Sequence, residues 1–383
     1  LNIATAMGAP VSTTHSIVGG VLGAGIAAGG LEIANWPRMG QIAASWVISP
    51  VLGGVIAAAI LYFIKQTITY KGDQMVDAAK RVVPILVGIM AWAFSTYLVL
   101  KGFKKIWAAD FTTALTIGAV IGLVVFFVAR PLVRNKSKSI SQDKNGINQL
   151  FVLPLICAAA LLSFAHGAND VANAVGPLAA INDAILNGGI VKKASIPLWV
   201  MMVGAVGIAV GLALYGPKLI RTVGSEITDL DQTRAFCIAL AAAITVIIAT
   251  TLGLPVSSTH VAVGGVFGVG FLREYIKVNY AVMLEEIKHH HESEDDIVVE
   301  RMIEEFKLAS TKEKGKMLQD LKTKSKRGGL SKKERRSMQK IYKHELVKRS
   351  HLIKIATAWI ITVPLSGLLA GMLFFTIRGM MLP

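Results

Sequence analysis

Charge is scarce in this sequence for its length. Only 17% of the 383 residues are charged, 53% are hydrophobic, and the mean hydropathy is +0.57. That balance excludes a chain kept unfolded by charge, and it is too apolar for an ordinary soluble domain. Cysteine is nearly absent. Cys157 and Cys237 each sit inside an apolar run, which excludes a disulfide framework and predicts two small buried hydrophobes. The opening residues LNIATAMGAP have no basic n-region or cleavage pattern, so they do not read as a signal peptide. Signatures of covalent chemistry are missing too. Without a GxSxG elbow or an HExxH pair, little supports an intramembrane hydrolase built on Ser257 or His260, or on a metal between His166 and Asp170. Rings of filter carbonyls or charges, which a channel needs, have no counterpart either.

The charges that are present are unevenly placed. Lys and Arg number 40 against 24 Asp and Glu, and 35 of these 64 charges fall between Arg273 and Lys354. The remainder contains apolar stretches of the ~20 residues that cross ~30 Å of hydrocarbon as a helix. They run from Ile42 to Ile64, Val82 to Leu100, Thr112 to Ala129, Ile196 to Tyr215, Ala235 to Leu252 and Ile355 to Ile377. Three further stretches, Val11 to Gly30, Leu150 to Leu186 and Val256 to Leu272, mix Ser, Thr, Asn, Asp, His, Gly and Pro into apolar sequence. Polar backbone at membrane depth requires protein or a watery cavity around it, so these predict broken or re-entrant helices lining a site.

The basic loop Arg130 to Asn145 and the block Arg273 to Lys354 face the cytoplasm by the positive-inside rule, although Lys101, Lys104 and Lys105 then face outward. Within the charged block, Val298, Val299, Met302, Ile303 and Phe306, and again Met338, Ile341, Tyr342 and Leu346, recur at helical spacing. They predict two amphipathic helices joined by the KTKSKRGGLS linker. His289 to His291, followed by Glu292, Glu294, Asp295 and Asp296, have the composition of a divalent-metal site but read better as a solvated charge run.

One element is duplicated. GAPVSTTHSIVGGVLGAGI (Gly8 to Ile26) and GLPVSSTHVAVGGVFGVGF (Gly253 to Phe271) are identical at 12 of 19 positions with an offset of 245. Such repetition marks a carrier made of two repeats with its site between them. A second element, HGANDVANAVGPL, spans His166 to Leu178. Its Asp170 precedes Ser257 by 87 residues, and equal spacing puts a first-repeat counterpart about 75 residues before Leu1. The first repeat therefore reads as incomplete at its N-terminus by some 70 to 100 residues, or as one that never had such a segment.

Ser12, Thr13, Thr14 and Ser257, Ser258, Thr259 supply three hydroxyls apiece at a predicted helix start. A helix start alone explains one such cluster as a cap. Two of them, with free N–H groups and the positive helix end, make an anion surface that needs no Lys or Arg. Asp170 is costly at membrane depth and so marks a functional site, with Asn169 beside it and Asn173 on the same helical face. His15, His166 and His260 read more readily as hydrogen-bonded packing residues than as ligands. A carboxylate beside an anion repels it unless a cation or proton intervenes, which points to symport with Na⁺ or H⁺. The hard oxygen donors suit a monovalent cation. HPO₄²⁻ keeps a proton to donate to an acidic acceptor and sulfate does not, which favours phosphate over a sulfate or related oxyanion permease of the same fold.

GANDVANAVGP together with the doubled PVS(T/S)TH resembles the inorganic phosphate transporter (PiT) family of secondary carriers, over essentially the whole chain. The resemblance implies an all-α polytopic membrane protein of two inverted-topology repeats, with half-helices around a central site. It implies phosphate held by Ser12, Thr13, Thr14, Ser257, Ser258, Thr259 and Asn169, and the coupling cation held by Asp170 and Asn173. No enzymatic activity, cofactor or structural metal is expected. The expected partners are inorganic phosphate, Na⁺ or H⁺ and the bilayer of the cytoplasmic membrane, with a homodimer left open and no nucleic acid. The chain divides accordingly into a first repeat with scaffold spans (1–130), a basic linker (131–149), a second repeat (150–272), a charged cytoplasmic insertion (273–354) and a C-terminal transmembrane helix (355–383).

Overall fold

The computed structural model describes residues 11–102, 109–187, 196–221, 230–252, 256–290 and 349–381, with 305 and 317. The described residues form helices and no strand. They are α1 (Thr13–Gly29), α2 (Trp36–Thr67), α3 (Met75–Tyr97), α4 (Phe111–Lys136), α5 (Lys144–Leu150), α6 (Val152–Asn187), α7 (Leu198–Arg221), α8 (Gln232–Thr251), α9 (Ser258–His290) and α10 (Arg349–Met380). Among the described residues, seven helical stretches are long and apolar enough to cross a membrane. Their outer faces carry Val, Leu, Ile, Met and Phe that the protein leaves largely uncovered, for example Leu198, Met202, Val206 and Val210 on α7. Such a surface is stable only in lipid, so the protein is a multi-pass membrane protein.

The six uninterrupted spans are helices where expected. The three polar stretches behave differently from one another. Val11–Gly30 and Val256–Leu272 each begin a helix at the hydroxyl motif. Leu150–Leu186, expected to break, is one continuous helix, α6, of 36 residues with Pro177 inside it. At 1.5 Å per residue it is roughly 54 Å long, well beyond the hydrocarbon thickness. Neighbouring helices meet part of its polar face, His166 bonding Ser258 and Asn173 bonding Thr14, and the backbone ladder stays closed. The expected amphipathic helices of the charged block and the side chains of His289 to Asp296 lie outside the described residues.

Local chemistry sets the helix boundaries. Asn35 caps α2 by accepting from the Arg38 N–H at 3.0 Å, with Pro37 in the first turn. Asp110 caps α4. The Thr113 hydroxyl and then the Thr113 N–H hold its carboxyl below the usual carboxylate range. Asp143 caps α5 and is lowered in the same way by the Ser141 hydroxyl and the Gly146 N–H. α1 ends because Gly30 takes φ +78°, a left-handed conformation.

Glycine seams decide which helices pair. Gly19 and Gly23 of α1 face Val363, Ser366 and Gly367 of α10, and Gly264 and Gly268 of α9 face Pro50 and Gly54 of α2. A Cβ on Gly54 would stand 2.8 Å from the Gly264 carbonyl oxygen, and one on Gly367 would stand 3.1 Å from that of Gly19. Backbones this close depend on the missing side chains. Gly19 and Gly264, and Gly23 and Gly268, are separated by the repeat offset of 245, so the two repeats use equivalent positions. Each motif helix packs on the helix that follows the other motif, an exchange that interlocks the repeats. A third seam, Gly88 against Gly122, joins α3 to α4. α8 lies at the centre, with Phe236, Cys237, Leu240, Ala243 and Val246 all buried. Cys237 is thus the buried hydrophobe expected. Cys157 is exposed on α6 beside Leu153 and Ile156, so lipid supplies its apolar surroundings instead of protein.

An ion pair closes the base of the charged block: Arg349 Nη2 donates to Glu274 Oε1 at 2.7 Å. Glu274 is buried, whereas Arg349 is 35% exposed at its side chain, so solvent screens the pair. Arg349→Met is expected to lower stability by about 1 kcal/mol, because a buried carboxylate loses a partner. Thermal melting in detergent would register this as a small downward shift, and an unshifted transition would remove the pair from the account.

Candidate functional site

The duplicated motifs form helix starts, and their first serines act as caps. Ser12 Oγ accepts from the His15 N–H at 3.2 Å, and Ser257 Oγ accepts from the His260 N–H at 3.3 Å. Both serines are buried. The capping role foreseen for a single motif is therefore present in both copies, and it occupies the first hydroxyl of each. The remaining hydroxyls face elsewhere. Thr14 Oγ1 donates to the Val256 carbonyl at 3.4 Å, joining the first motif to the start of the second across 242 residues. Thr13 and Thr259 are half-buried, while Thr14 and Ser258 are buried.

α6 ties the two motifs together. His166, Asp170 and Asn173 fall at i, i+4 and i+7, so they share one face of the helix. His166 Nδ1 hydrogen-bonds Ser258 Oγ of the second motif. Asn173 Nδ2 donates to Thr14 Oγ1 of the first motif at 3.3 Å. Asp170, only 4% exposed, lies between them with Oδ2 at 3.4 Å from His166 Nδ1. A single helical face thus touches both copies of the repeated motif, with a buried carboxylate midway. Of the residues singled out from the sequence, Thr14, Ser258, Asp170 and Asn173 are brought together along α6, while the side chains of Ser12 and Ser257 make the cap bonds of their own helices. Asn169 is on α6, but its side chain lies outside the described residues. Thr13 forms no hydrogen bond in this set.

A cavity of about 220 Å³ opens beside this face, lined by Leu162, Ser163, His166, Ser258, Thr259 and Ala262. It is far larger than one water requires. Its hydroxyls and imidazole sit among apolar side chains, the mixture typical of a small-ligand site. His166, read from the sequence as a hydrogen-bonded packing residue, is hydrogen-bonded here, and its place four residues before Asp170 on the helix makes it the link between Asp170 and Ser258. No Lys or Arg reaches the cluster in any described contact. The donors that would meet an anion are hydroxyls, an amide and helix N–H groups.

The chain is similar to known proteins. Residues 1–370 match the model of the Phosphate transporter family. A Helicobacter pylori (strain J99) protein named "Putative phosphate permease" is 52% identical over 385 residues, covering 98% of this chain and 72% of its own length. A namesake from Pyrococcus abyssi is 38% identical over 283 residues, covering 74% of this chain and 69% of its own. Among solved structures, one described as "The sodium-dependent phosphate transporter" superposes with a TM-score of 0.73 at 28% identity, over 99% of this chain and 76% of that one.

Proposed function

The chain belongs to the phosphate transporter family, and on that premise we propose that it is a secondary symporter carrying inorganic phosphate across the cytoplasmic membrane, coupled to Na⁺ or H⁺ by alternating access. The observation that carries the reading is the α6 face on which His166, Asp170 and Asn173 meet both hydroxyl motifs. Phosphate lies between the motifs, held by the hydroxyls of Ser12, Thr13, Thr14, Ser257, Ser258 and Thr259 and by Asn169. The coupling cation lies at Asp170 and Asn173.

Electrostatics makes the two ligands depend on each other. Two like unit charges 4 Å apart repel by about 4 kcal/mol at an effective dielectric of 20. Asp170 is one imidazole away from Ser258. An anion arriving there is opposed by the carboxylate until a cation or proton neutralises it, so neither ligand occupies the site well alone. The solved structure similar to this chain is of a sodium-dependent transporter, which favours Na⁺ as the partner ion. Alternating access in this reading has the glycine-seamed pairs, α1 with α10 and α2 with α9, tilt as units against the remaining spans, which the close backbone approach at their seams supports.

Labelled phosphate uptake into proteoliposomes tests the proposal. Saturable uptake driven by an imposed Na⁺ or proton gradient, and resistant to excess sulfate, is the expected result. No uptake under either gradient would refute it, and equal competition by sulfate would reassign the substrate to a broader oxyanion class.

A further inference from the structure

Behind the two hydroxyl clusters, four rings meet in a column that the transport reading does not use. His15 and His260, equivalent across the repeat offset, touch edge to face with centroids 4.3 Å apart and planes at 85°. Each also lies against a tryptophan: His15 on Trp46 at 3.8 Å, His260 on Trp359 at 3.5 Å with planes only 21° apart. The tryptophans are equivalent as well. SWVISPVLGG (45–54) and AWIITVPLSG (358–367) share the same Trp, Ile, Leu and Gly positions. The column is thus built twice from the same parts and joined at the two histidines.

Both histidines are fully buried, and neither ring nitrogen of either has a hydrogen-bond partner among the described residues. The Trp359 backbone lies near His15 without closing a bond of normal geometry. Trp46 Nε1, on the ring against His15, has no hydrogen-bond partner among the described residues either. Buried polar atoms left unpaired are costly, so packing alone would be served better by phenylalanine at both positions. Two copies of histidine at the same place point to something that the nitrogens bind. A metal is disfavoured, because no group of three His, Cys, Asp or Glu side chains is assembled among the described residues.

A proton fits. A protonated imidazole lying over an indole face is stabilised by the ring's electrons, most strongly away from water. Two protonated rings this close would repel strongly, so the pair has room for one proton. Among the described residues, the titratable groups that hydrogen bonds tie to the two motifs are His166, bonded to Ser258, and Asp170 beside it on α6. α1 carries no charged residue, α2 carries Arg38 and Lys65 near its two ends, α8 carries Arg234 in its first turn, α9 carries none before Arg273, thirteen residues after His260, and α10 carries Arg349, Lys354 and Arg378. Among the described residues, no Lys or Arg contacts the hydroxyls that immediately precede each histidine, so none is placed to balance an anion held there.

We propose that His15 and His260 form a one-proton site that fills when an oxyanion occupies the adjoining hydroxyl motifs. The proposal rests on reading those motifs as the phosphate site. It makes phosphate binding take up a proton at the pair, so affinity weakens as pH rises, by at most tenfold per pH unit for one linked proton. Calorimetry of phosphate binding to the detergent-solubilised full chain, in buffers of different ionisation heat, counts the protons taken up. Comparing wild type with variants at each pH cancels phosphate's own titration.

His15→Phe/His260→Phe is expected to keep the wild-type melting transition and to bind phosphate within about threefold of wild type at the alkaline end. It should take up fewer protons than wild type at lower pH, by up to one per phosphate, with each single variant in between. Should the Phe pair not fold, His15→Gln/His260→Gln serves in its place. Identical proton counts in wild type and double variant would overturn the proposal, as would a difference of two, or loss of binding at the alkaline end where the pair is empty. If wild type itself binds no phosphate, it is the phosphate reading that fails.

Discussion

Asp170→Asn is expected to lower gradient-driven phosphate uptake by at least about a hundredfold while leaving the protein folded. The substitution keeps the shape of the side chain and removes its charge. Asp170 is 4% exposed and stands 3.4 Å from His166 Nδ1, so little water is present to compensate a bound cation once the carboxylate is gone. An opposite unit charge at about 4 Å is worth about 4 kcal/mol at an effective dielectric of 20. Even three-quarters of that corresponds to two orders of magnitude in rate or affinity. The asparagine amide can still meet His166, so the melting temperature should move little. Phosphate that does bind should do so without dependence on the coupling ion. Initial uptake rates in proteoliposomes at matched protein density decide the matter, and near-normal uptake by the variant would remove Asp170 from the mechanism.

Gly268→Leu is expected to be among the most destabilising single changes in the chain. A Cβ at Gly268 falls on the backbone of Gly54, and the neighbouring Gly264 is equally pressed against Pro50. Overpacking commonly costs about 1–3 kcal/mol when side chains can shift aside. Here the obstacle is main chain within a helix, so α9 and α2 must separate and the cost should exceed that range. Separation would also displace His260 and the second hydroxyl motif, which begins at the other end of the same seam. Gly207→Ala and Gly211→Ala on α7 are the controls, since a Cβ at either meets nothing within 4 Å. Melting in detergent should place the controls with wild type and find little or no cooperative transition for Gly268→Leu. A normal transition would show that the seam is looser than its geometry implies.

Much of the membrane architecture could be read from the sequence because its signal is chemical and local. Twenty apolar residues without a charge can do little else than cross lipid, and Ile42 to Ile64 or Ala235 to Leu252 became helices for that reason. The hydroxyl motifs and Asp170 were legible from their cost at membrane depth. Helix pairing was not, because a seam such as Gly19 against Gly367 depends on two surfaces 348 residues apart. The kinship of Trp46 and Trp359 was hidden too. The charged block changes the repeat offset from 245 at the histidines to 313 at the tryptophans, so a fixed-offset comparison misses them. The continuity of α6 was misread because Gly, Asn and Pro weaken an isolated helix, whereas here the surrounding motifs hydrogen-bond its polar face. Even the scarcity of charge takes on a sharper meaning: among the described residues no Lys or Arg contacts the hydroxyl cluster, which leaves anion binding there to uncharged donors.

The most direct test of the account is a density map of the protein with arsenate, a heavier analogue of phosphate, and the coupling cation. The account predicts oxyanion density within hydrogen-bonding distance of hydroxyls from both motifs, with cation density at the Asp170 carboxylate. Oxyanion density confined to the basic loops, with the space between the motifs empty, would contradict it.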